Sequence, residues 1–334
     1  MDATSLENKV LVGYQGWFTC PADDTGRWTH WSRGAPTPET LTVDLYPDVT
    51  ELEADERCEI PGMTIGGERP AYLFSSRNGK TVARHFRWMQ EYGLDGALVQ
   101  RFVGEIRGKR AGGEVVLRHV MRAAEETGRT FAIEYDISGG NAATFAQIIK
   151  DDWMYLVDEL ELAAHGRYQR HAGRPLVSIW GMGLNDSGHP PANAAEALAL
   201  IEWFKNGAPE KYRATYMGGT PSRWRTLSND ARPEKEWEAA YAAMDVVQPW
   251  NVGRYSTMEA VDAWKERMIA PDVKKSAENG QLYMPVVFPG FSWHNLRQGQ
   301  APQNQIPRRR GEFLWRQAVN AKLADAEAVP ELVM

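Results

Sequence analysis

Two acidic residues set two apart, Glu134 and Asp136 in the run Phe131-Ala132-Ile133-Glu134-Tyr135-Asp136, are the first place to look for chemistry. If the run is a strand, residues i and i+2 share one side of it, so both carboxyls point the same way from an otherwise apolar segment. A buried carboxylate is costly unless it is paired or put to use. Either Arg101 neutralises one of them from a neighbouring strand, or the pair works on a ligand, which makes Glu134 and Asp136 the catalytic candidates. Hydrolysis of a glycosidic bond needs two such groups, about 5 Å apart when one is a nucleophile and wider when a water lies between them. Asp23, Asp24 and Glu105, read as loop residues, are further carboxylates behind this pair.

Aromatic and amide residues recur where the other apolar runs end. Tyr14, Gln15 and Trp17 close the first run, Gln100, Arg101 and Phe102 the second, and Tyr135 lies in the third. Trp180, then Gln248 with Trp250, then Trp293 with His294 follow in the later ones. Trp28, His30 and Trp31 sit together in the loop segment Asp23–Trp31, either as a pocket wall or as a packed surface hairpin. Tryptophan is over-used, with 13 in the chain, several beside Gly, Pro or His. Rings mixed with amides, carboxylates and a guanidinium suit a ligand with apolar ring faces and many hydroxyls, which describes a sugar. A phosphate ligand would want more cations and glycine-rich turns.

Other chemistries find little support. The seven histidines have no HExxH spacing and neither Cys20 nor Cys58 has a Cys-x-x-Cys partner, so no metal and no cofactor is expected. Ser-His-Asp chemistry lacks a Gly-x-Ser-x-Gly elbow, and His85 and His119 fall in helical patterns that suggest structural roles. Cys20 and Cys58 either form one disulfide pinning the first loop or remain free thiols. Net charge is −6 and the tightest basic cluster is Arg308-Arg309-Arg310, too short for a nucleic-acid footprint. No apolar run approaches the roughly 20 residues of a membrane span, and no leader is visible. The expected compartment is secreted or periplasmic if a leader has been removed, and cytoplasmic otherwise. The expected partner is an oligosaccharide or polysaccharide substrate, not a nucleic acid or a membrane; oligomeric state has no signature.

The elements that must position these residues alternate along the chain. Strands are predicted at Val10–Phe18, Gly96–Phe102, Thr130–Ile137, Pro175–Trp180, Arg213–Gly218, Asp245–Trp250 and Leu282–Phe288. Most are apolar enough to be buried on both faces, as parallel strands are. Helices are predicted at Thr81–Tyr92, Glu114–Thr127, Ala143–Leu162 (with a bend near Asp151–Trp153), Ala194–Phe204, Met258–Glu278 and Glu312–Ala324, with a weaker one around Pro233–Ala242. Asn78 is the expected N-cap of the first helix and Gly93 its stop. Such alternation implies a parallel sheet with right-handed crossovers. A doubly wound sheet would want a glycine fingerprint after the first strand, where this chain has Gly13-Tyr14-Gln15-Gly16-Trp17-Phe18. The reading is therefore a (β/α)8 TIM-type barrel, α/β in class, expected to be incomplete at the C-terminal eighth strand. It fills residues 1–334 as a single domain, with a long loop or lid at about 19–78 that shows little periodicity.

The order of motifs resembles the glycoside hydrolase family 99 and family 71-like group. The resemblance runs from Val12-Gly13-Tyr14-Gln15-Gly16-Trp17-Phe18 through Trp28-Thr29-His30-Trp31, Asp44-Leu45-Tyr46-Pro47, Phe86-Arg87-Trp88-Met89 and Gly93-Leu94-Asp95-Gly96. It continues in Gln100-Arg101-Phe102, Ile133-Glu134-Tyr135, Val177-Ser178-Ile179-Trp180-Gly181, Gln248-Pro249-Trp250 and Phe288-Pro289-Gly290-Phe291-Ser292, and so covers residues 10 to 320 or thereabouts. It implies a metal-free (β/α)8 barrel that hydrolyses α-linked glycans such as mannans from within the chain. It implies that Glu134 helps hold the sugar, and that Tyr14, Trp17, Trp250 and the loop Phe291–Asn295 line the cleft. In family 99 two glutamates after the eighth strand, in a Trp-x-Glu-Gly type segment, do the work: one deprotonates the sugar's 2-hydroxyl to give an epoxide-like intermediate, the other is the acid. Here Asp325–Met334 holds no such segment, so those roles are not carried over. Truncation, an inactive glycan-binding barrel, or an acid and base placed elsewhere (Glu134 and Asp136) are the three ways to read that end. Only about seven strands precede residue 320, and the proline-interrupted tail is expected to cover the gap or pair poorly at its rim.

Overall fold

Seven apolar runs become parallel strands that line up edge to edge, as their two-sided burial requires. The computed structural model describes residues 1–191 and 193–324, together with the backbone of 332–333. The strands of the main sheet are β1 Val10–Tyr14, β4 Gly96–Phe102, β5 Thr130–Asp136, β7 Arg174–Trp180, β8 Thr215–Thr220, β9 Val246–Pro249 and β10 Leu282–Tyr283. They pair in the order β10-β9-β8-β7-β5-β4-β1, all parallel. A two-residue β6, Arg170–His171, runs antiparallel to β7. A two-residue β11, Leu332–Val333, joins the outer edge of β1 opposite Val10 and Leu11. This two-residue pairing falls within the tail, 326–334, expected to cover the gap or pair poorly at its rim; residues 325–331 and 334 lie outside the described residues. The result is a partial TIM barrel: among the described residues, β10 and β11 do not pair with each other.

Helices α1 Gly79–Glu91, α2 Val103–Thr127, α3 Phe145–Glu159, α4 Ala194–Glu202, α5 Trp237–Ala242, α6 Met258–Trp264, α7 Ala270–Glu278 and α8 Glu312–Leu323 return the chain between strands. α1 begins where its sequence demands: the Asn78 side chain accepts the Lys80 N–H, and Gly93 after it takes φ 75°, a left-handed conformation cheap only for glycine. α3 runs unbroken through Asp152 and Trp153, both buried, so the bend expected there does not occur. α6 and α7 are joined through a π-helical turn, Lys265–Ile269, where the sequence suggested one continuous helix.

The larger correction is α2. It starts directly after β4, eleven positions ahead of the predicted Glu114, and it takes in Glu105 in its first turn, which the sequence placed on a loop. Gly104, Gly108, Gly112 and Gly113 hide this half, because each glycine costs about 1 kcal/mol against alanine in a helix. Two of them make room. A side-chain carbon at Gly112 would sit 3.1 Å from Arg77 Nη1, and one at Gly113 would sit 3.2 Å from Arg101 Nη1. Arg77 uses the space to donate to the Gly112 carbonyl at 2.9 Å.

The segment 19–78 is not structureless either. It holds a hairpin, β2 Cys58–Ile65 with β3 Arg69–Leu73, paired antiparallel with an irregularity between Glu59 and Thr64. Trp31, Leu41, Ile60, Ala71 and Leu73 form its own small core, and Cys20 is disulfide-bonded to Cys58. The segment also reaches the loop after β10. Asn295 N–H donates to Asp44 Oδ1 at 2.8 Å, its side-chain amide donates to the Val43 carbonyl at 2.8 Å, and Arg33 donates to the carbonyls of Asn295 and Leu296. No helix among the described residues is long and apolar enough to cross a membrane.

Candidate active site

Parallel register brings the polar ends of the strands into one row. Gln100 lies opposite Glu134, and Glu134 opposite Ser178; Phe102 lies opposite Asp136, Asp136 opposite Trp180, and Trp180 opposite Gly219, which faces Gln248. A parallel barrel gathers its functional groups at this C-terminal end of the strands. Gly219 is what lets Trp180 lie flat against β8: a side-chain carbon there would come within 2.7 Å of Trp180 Cδ1.

Glu134 is 8% exposed and accepts a hydrogen bond from Ser178 Oγ at 2.9 Å. Burial pushes its carboxyl up to about 7; the Ser178 hydroxyl opposes that, and the negative charge of Asp136 adds to it. A carboxyl raised this far holds its proton near neutral pH and can give it away, the requirement for a general acid. Asp136 is held differently. It accepts from the Gln100 side-chain amide and, at Oδ1, from the Ser138 N–H at 2.8 Å. The two carboxyls thus have unlike hydrogen-bonding environments on one face of one strand.

Beside them a cavity of about 320 Å³ opens between the 19–78 segment and α2. Trp17, His30, Gln100, Arg101 and Phe102 line it, with Arg27, Arg77 and Glu105, of which the two arginines carried no signal in the sequence. Gln100 belongs to both places, as a wall of the cavity and as a donor to Asp136. Trp17 stacks on His30 (ring centres 5.1 Å) and on Phe102 (4.8 Å), so the protein's own rings take up its faces. Trp180 and Trp250 meet edge to face at 5.1 Å and are partly exposed, as is Trp293, which carries Arg297 over its ring at 4.4 Å. Gln15 is exposed just past β1, Gln248 is buried near Met284, and His294 Nδ1 lies 2.6 Å from the Ala301 carbonyl.

Several residues picked for sugar contact are placed elsewhere. Arg101 and Tyr135 alternate with Glu134 along the strands and point to the helix layer. Arg101 donates twice to Asp152 of α3, at 3.0 and 2.7 Å, and Tyr135 donates to the same carboxylate at 3.0 Å. Arg101 therefore neutralises neither Glu134 nor Asp136; only part of its side chain reaches the cavity wall. Tyr14 is buried against α1, with its hydroxyl 3.0 Å from His85 Nδ1, and burial raises its pKa while lowering that of His85 to about 4. Trp31, 3% exposed, packs into the hairpin core and donates to the Phe74 carbonyl at 2.8 Å; Trp28 packs on the same core. Of the trio Trp28, His30 and Trp31, only His30 faces the cavity. For metals, Glu53, Asp55 and Glu56 are close enough to share an ion, but Lys80 and Arg84 already neutralise them.

The architecture is that of a partial TIM barrel, and its fold is similar to that of solved family 99 endo-α-mannosidase structures. Two solved structures of the GH99 endo-alpha-mannosidase from Bacteroides thetaiotaomicron superpose over the whole chain. One, in complex with BIS-TRIS-propane, gives a TM-score of 0.67 at 16% identity and is itself covered over 83% of its length. The other gives 0.66 at 16% identity, with 84% of its length covered. No family model matches the sequence. No curated protein matches it either.

Proposed function

We propose that this chain hydrolyses α-linked glycans of the mannan type without a metal, using Glu134 as the acid and Asp136 as the base. The observation that carries the reading is the proton-holding carboxyl of Glu134 beside Asp136, at the mouth of a barrel edged by Trp180 and Trp250. Glu134 protonates the glycosidic oxygen as its bond to the anomeric carbon breaks. Asp136 takes the proton of the water that bonds to that carbon. Gln100 orients Asp136, and the partly exposed rings of Trp180 and Trp250 supply the apolar edge against which pyranose rings pack. A second reading, that the barrel holds a glycan without cleaving it, is favoured by one fact: both Asp136 oxygens are already engaged, by Gln100 and by Ser138.

The test combines calorimetry with release of reducing ends from α-mannan oligosaccharides. Turnover should fall by about 100-fold or more in Glu134→Gln and in Asp136→Asn, the usual worth of a general acid or base. Trp250→Ala should weaken binding by about 2 kcal/mol, as the loss of a hot-spot ring does. Binding without turnover selects the second reading. Turnover that persists in both carboxylate variants, or no saccharide binding at millimolar concentration, overturns the proposal.

A further inference from the structure

We propose that Ser138, His189 and Asp186 form a serine-nucleophile relay at the barrel mouth, which removes acyl groups esterified to sugar hydroxyls. The loops after β5 and β7 bring the three together. Ser138 Oγ lies 3.0 Å from His189 Nε2, and His189 Nδ1 lies 2.7 Å from Asp186 Oδ1. With its Nδ1–H given to the carboxylate, the ring keeps Nε2 free to accept the serine proton, the tautomer a general base requires. Such a relay is recognised by geometry and roles, not by a sequence motif, so the missing Gly-x-Ser-x-Gly elbow does not exclude it.

The parts are fixed by the surrounding backbone. Gly188 N–H donates to the same Asp186 oxygen at 2.8 Å, Gly139 N–H donates to the Gly188 carbonyl at 2.7 Å, and Ser138 N–H is tied to Asp136. Gly181 clears space for the imidazole: a side-chain carbon there would sit 2.8 Å from His189 Cδ2. Ser138 and His189 are partly exposed, so an ester can reach them. The Trp180 ring stands edge to face with His189 at 5.3 Å, and its buried Nε1–H has no hydrogen-bond partner. The backbone N–H groups of Ser138, Gly139 and Gly140 are all committed within the fold.

The chemistry balances without a co-reactant other than water. Ser138 Oγ bonds to the ester carbonyl carbon as its proton passes to His189 Nε2. The bond from that carbon to the sugar oxygen breaks, and the oxygen leaves with the proton held on Nε2. Water then adds to the acyl carbon, giving its proton to Nε2. Ser138 departs with that proton, and a carboxylic acid is released. The sugar half of this substrate rests on the glycan reading above; the relay itself does not.

Three probes separate the two. A fluorophosphonate tests the serine alone, p-nitrophenyl acetate tests ester cleavage without a sugar, and O-acetylated mannan oligosaccharides test the full substrate. Wild type should carry the phosphonate on the peptide containing Ser138 and release acetate from both esters. Ser138→Ala should abolish labelling and release at an unchanged melting temperature, and His189→Ala and Asp186→Asn should slow release by at least 100-fold. No labelling of wild type, or ester cleavage equal in wild type and Ser138→Ala, overturns the relay and leaves a structural hydrogen-bond chain. Ser138-dependent cleavage of p-nitrophenyl acetate with no release from the acetylated oligosaccharides overturns the substrate class. Calorimetry with the unacetylated glycan, run alongside, shows whether the sugar reading has failed independently.

Discussion

Glu134→Gln should make the protein more stable at alkaline pH and leave it unchanged in acid. In the unfolded chain this carboxyl ionises at its ordinary 4.5, whereas in the fold burial holds it protonated up to about 7. Below 4.5 both states carry the proton and nothing is lost. Between the two values the unfolded state sheds its proton and the folded state does not, so stability falls as pH rises. Above 7 the whole penalty is present. Each pH unit of that span is worth about 1.4 kcal/mol, so wild type gives up about 3 kcal/mol between pH 4 and pH 8 on account of this one group. Glutamine cannot ionise, and its carbonyl still accepts the Ser178 hydroxyl. For a chain of this length the difference is a melting temperature about 4 °C above wild type at pH 8, shrinking to nothing at pH 4. Asp272, also raised to about 7 by burial, adds pH dependence of the same sign, but it is common to both proteins and cancels when they are compared. Urea or thermal denaturation across pH 4 to 8 provides the curve. A variant-minus-wild-type difference that stays flat over that range would show that the carboxyl is solvated, and the acid assignment would fall with it.

Asp152→Ala should cost about 3–5 kcal/mol of stability, because it strands the buried Arg101 guanidinium without its partner and removes the acceptor of Tyr135. The urea midpoint should drop sharply, and an unchanged midpoint would mean that Arg101 reaches solvent. Reduction of the Cys20–Cys58 bridge, or Cys20→Ser with Cys58→Ser, should cost about 4 kcal/mol in the chain-entropy model for cysteines 38 apart. Thermal melts with and without reductant check this; equal melts would show that the segment's unfolded ensemble is not widened by the cut.

The strand positions were legible because parallel strands are written as apolar runs, and Gly96–Phe102 begins and ends in the structure where its sequence does. The same signal put Gln100, Glu134 and Trp180 at one end of the sheet. What it could not resolve was which face of a strand end a large residue takes. Tyr14, Arg101 and Tyr135 are as polar and aromatic as their neighbours, but strand alternation turns them toward helices, and their partners His85 and Asp152 lie 71 and 51 residues away from Tyr14 and Arg101. The hairpin β2–β3 escaped because Pro61, Gly62 and Pro70 lie inside its strands, where such residues normally argue against a strand. Ser138, Asp186 and His189 escaped for another reason. Two of them sit in a short turn, the third lies 51 residues from the histidine, and nothing in the spacing says they meet.

The contacts of Arg33, Val43 and Asp44 with Asn295 and Leu296 act as a clasp, fastening residues 251 to 263 positions apart. Closing a loop of that length from a free chain costs about 5 kcal/mol in entropy. Four partly solvated hydrogen bonds, at roughly 1 kcal/mol each, do not offset it. The clasp fastens only because the strands between its ends have already brought them close. It is thus a late event in folding and an early one in breathing, and it can undo while the rest of the molecule stays native.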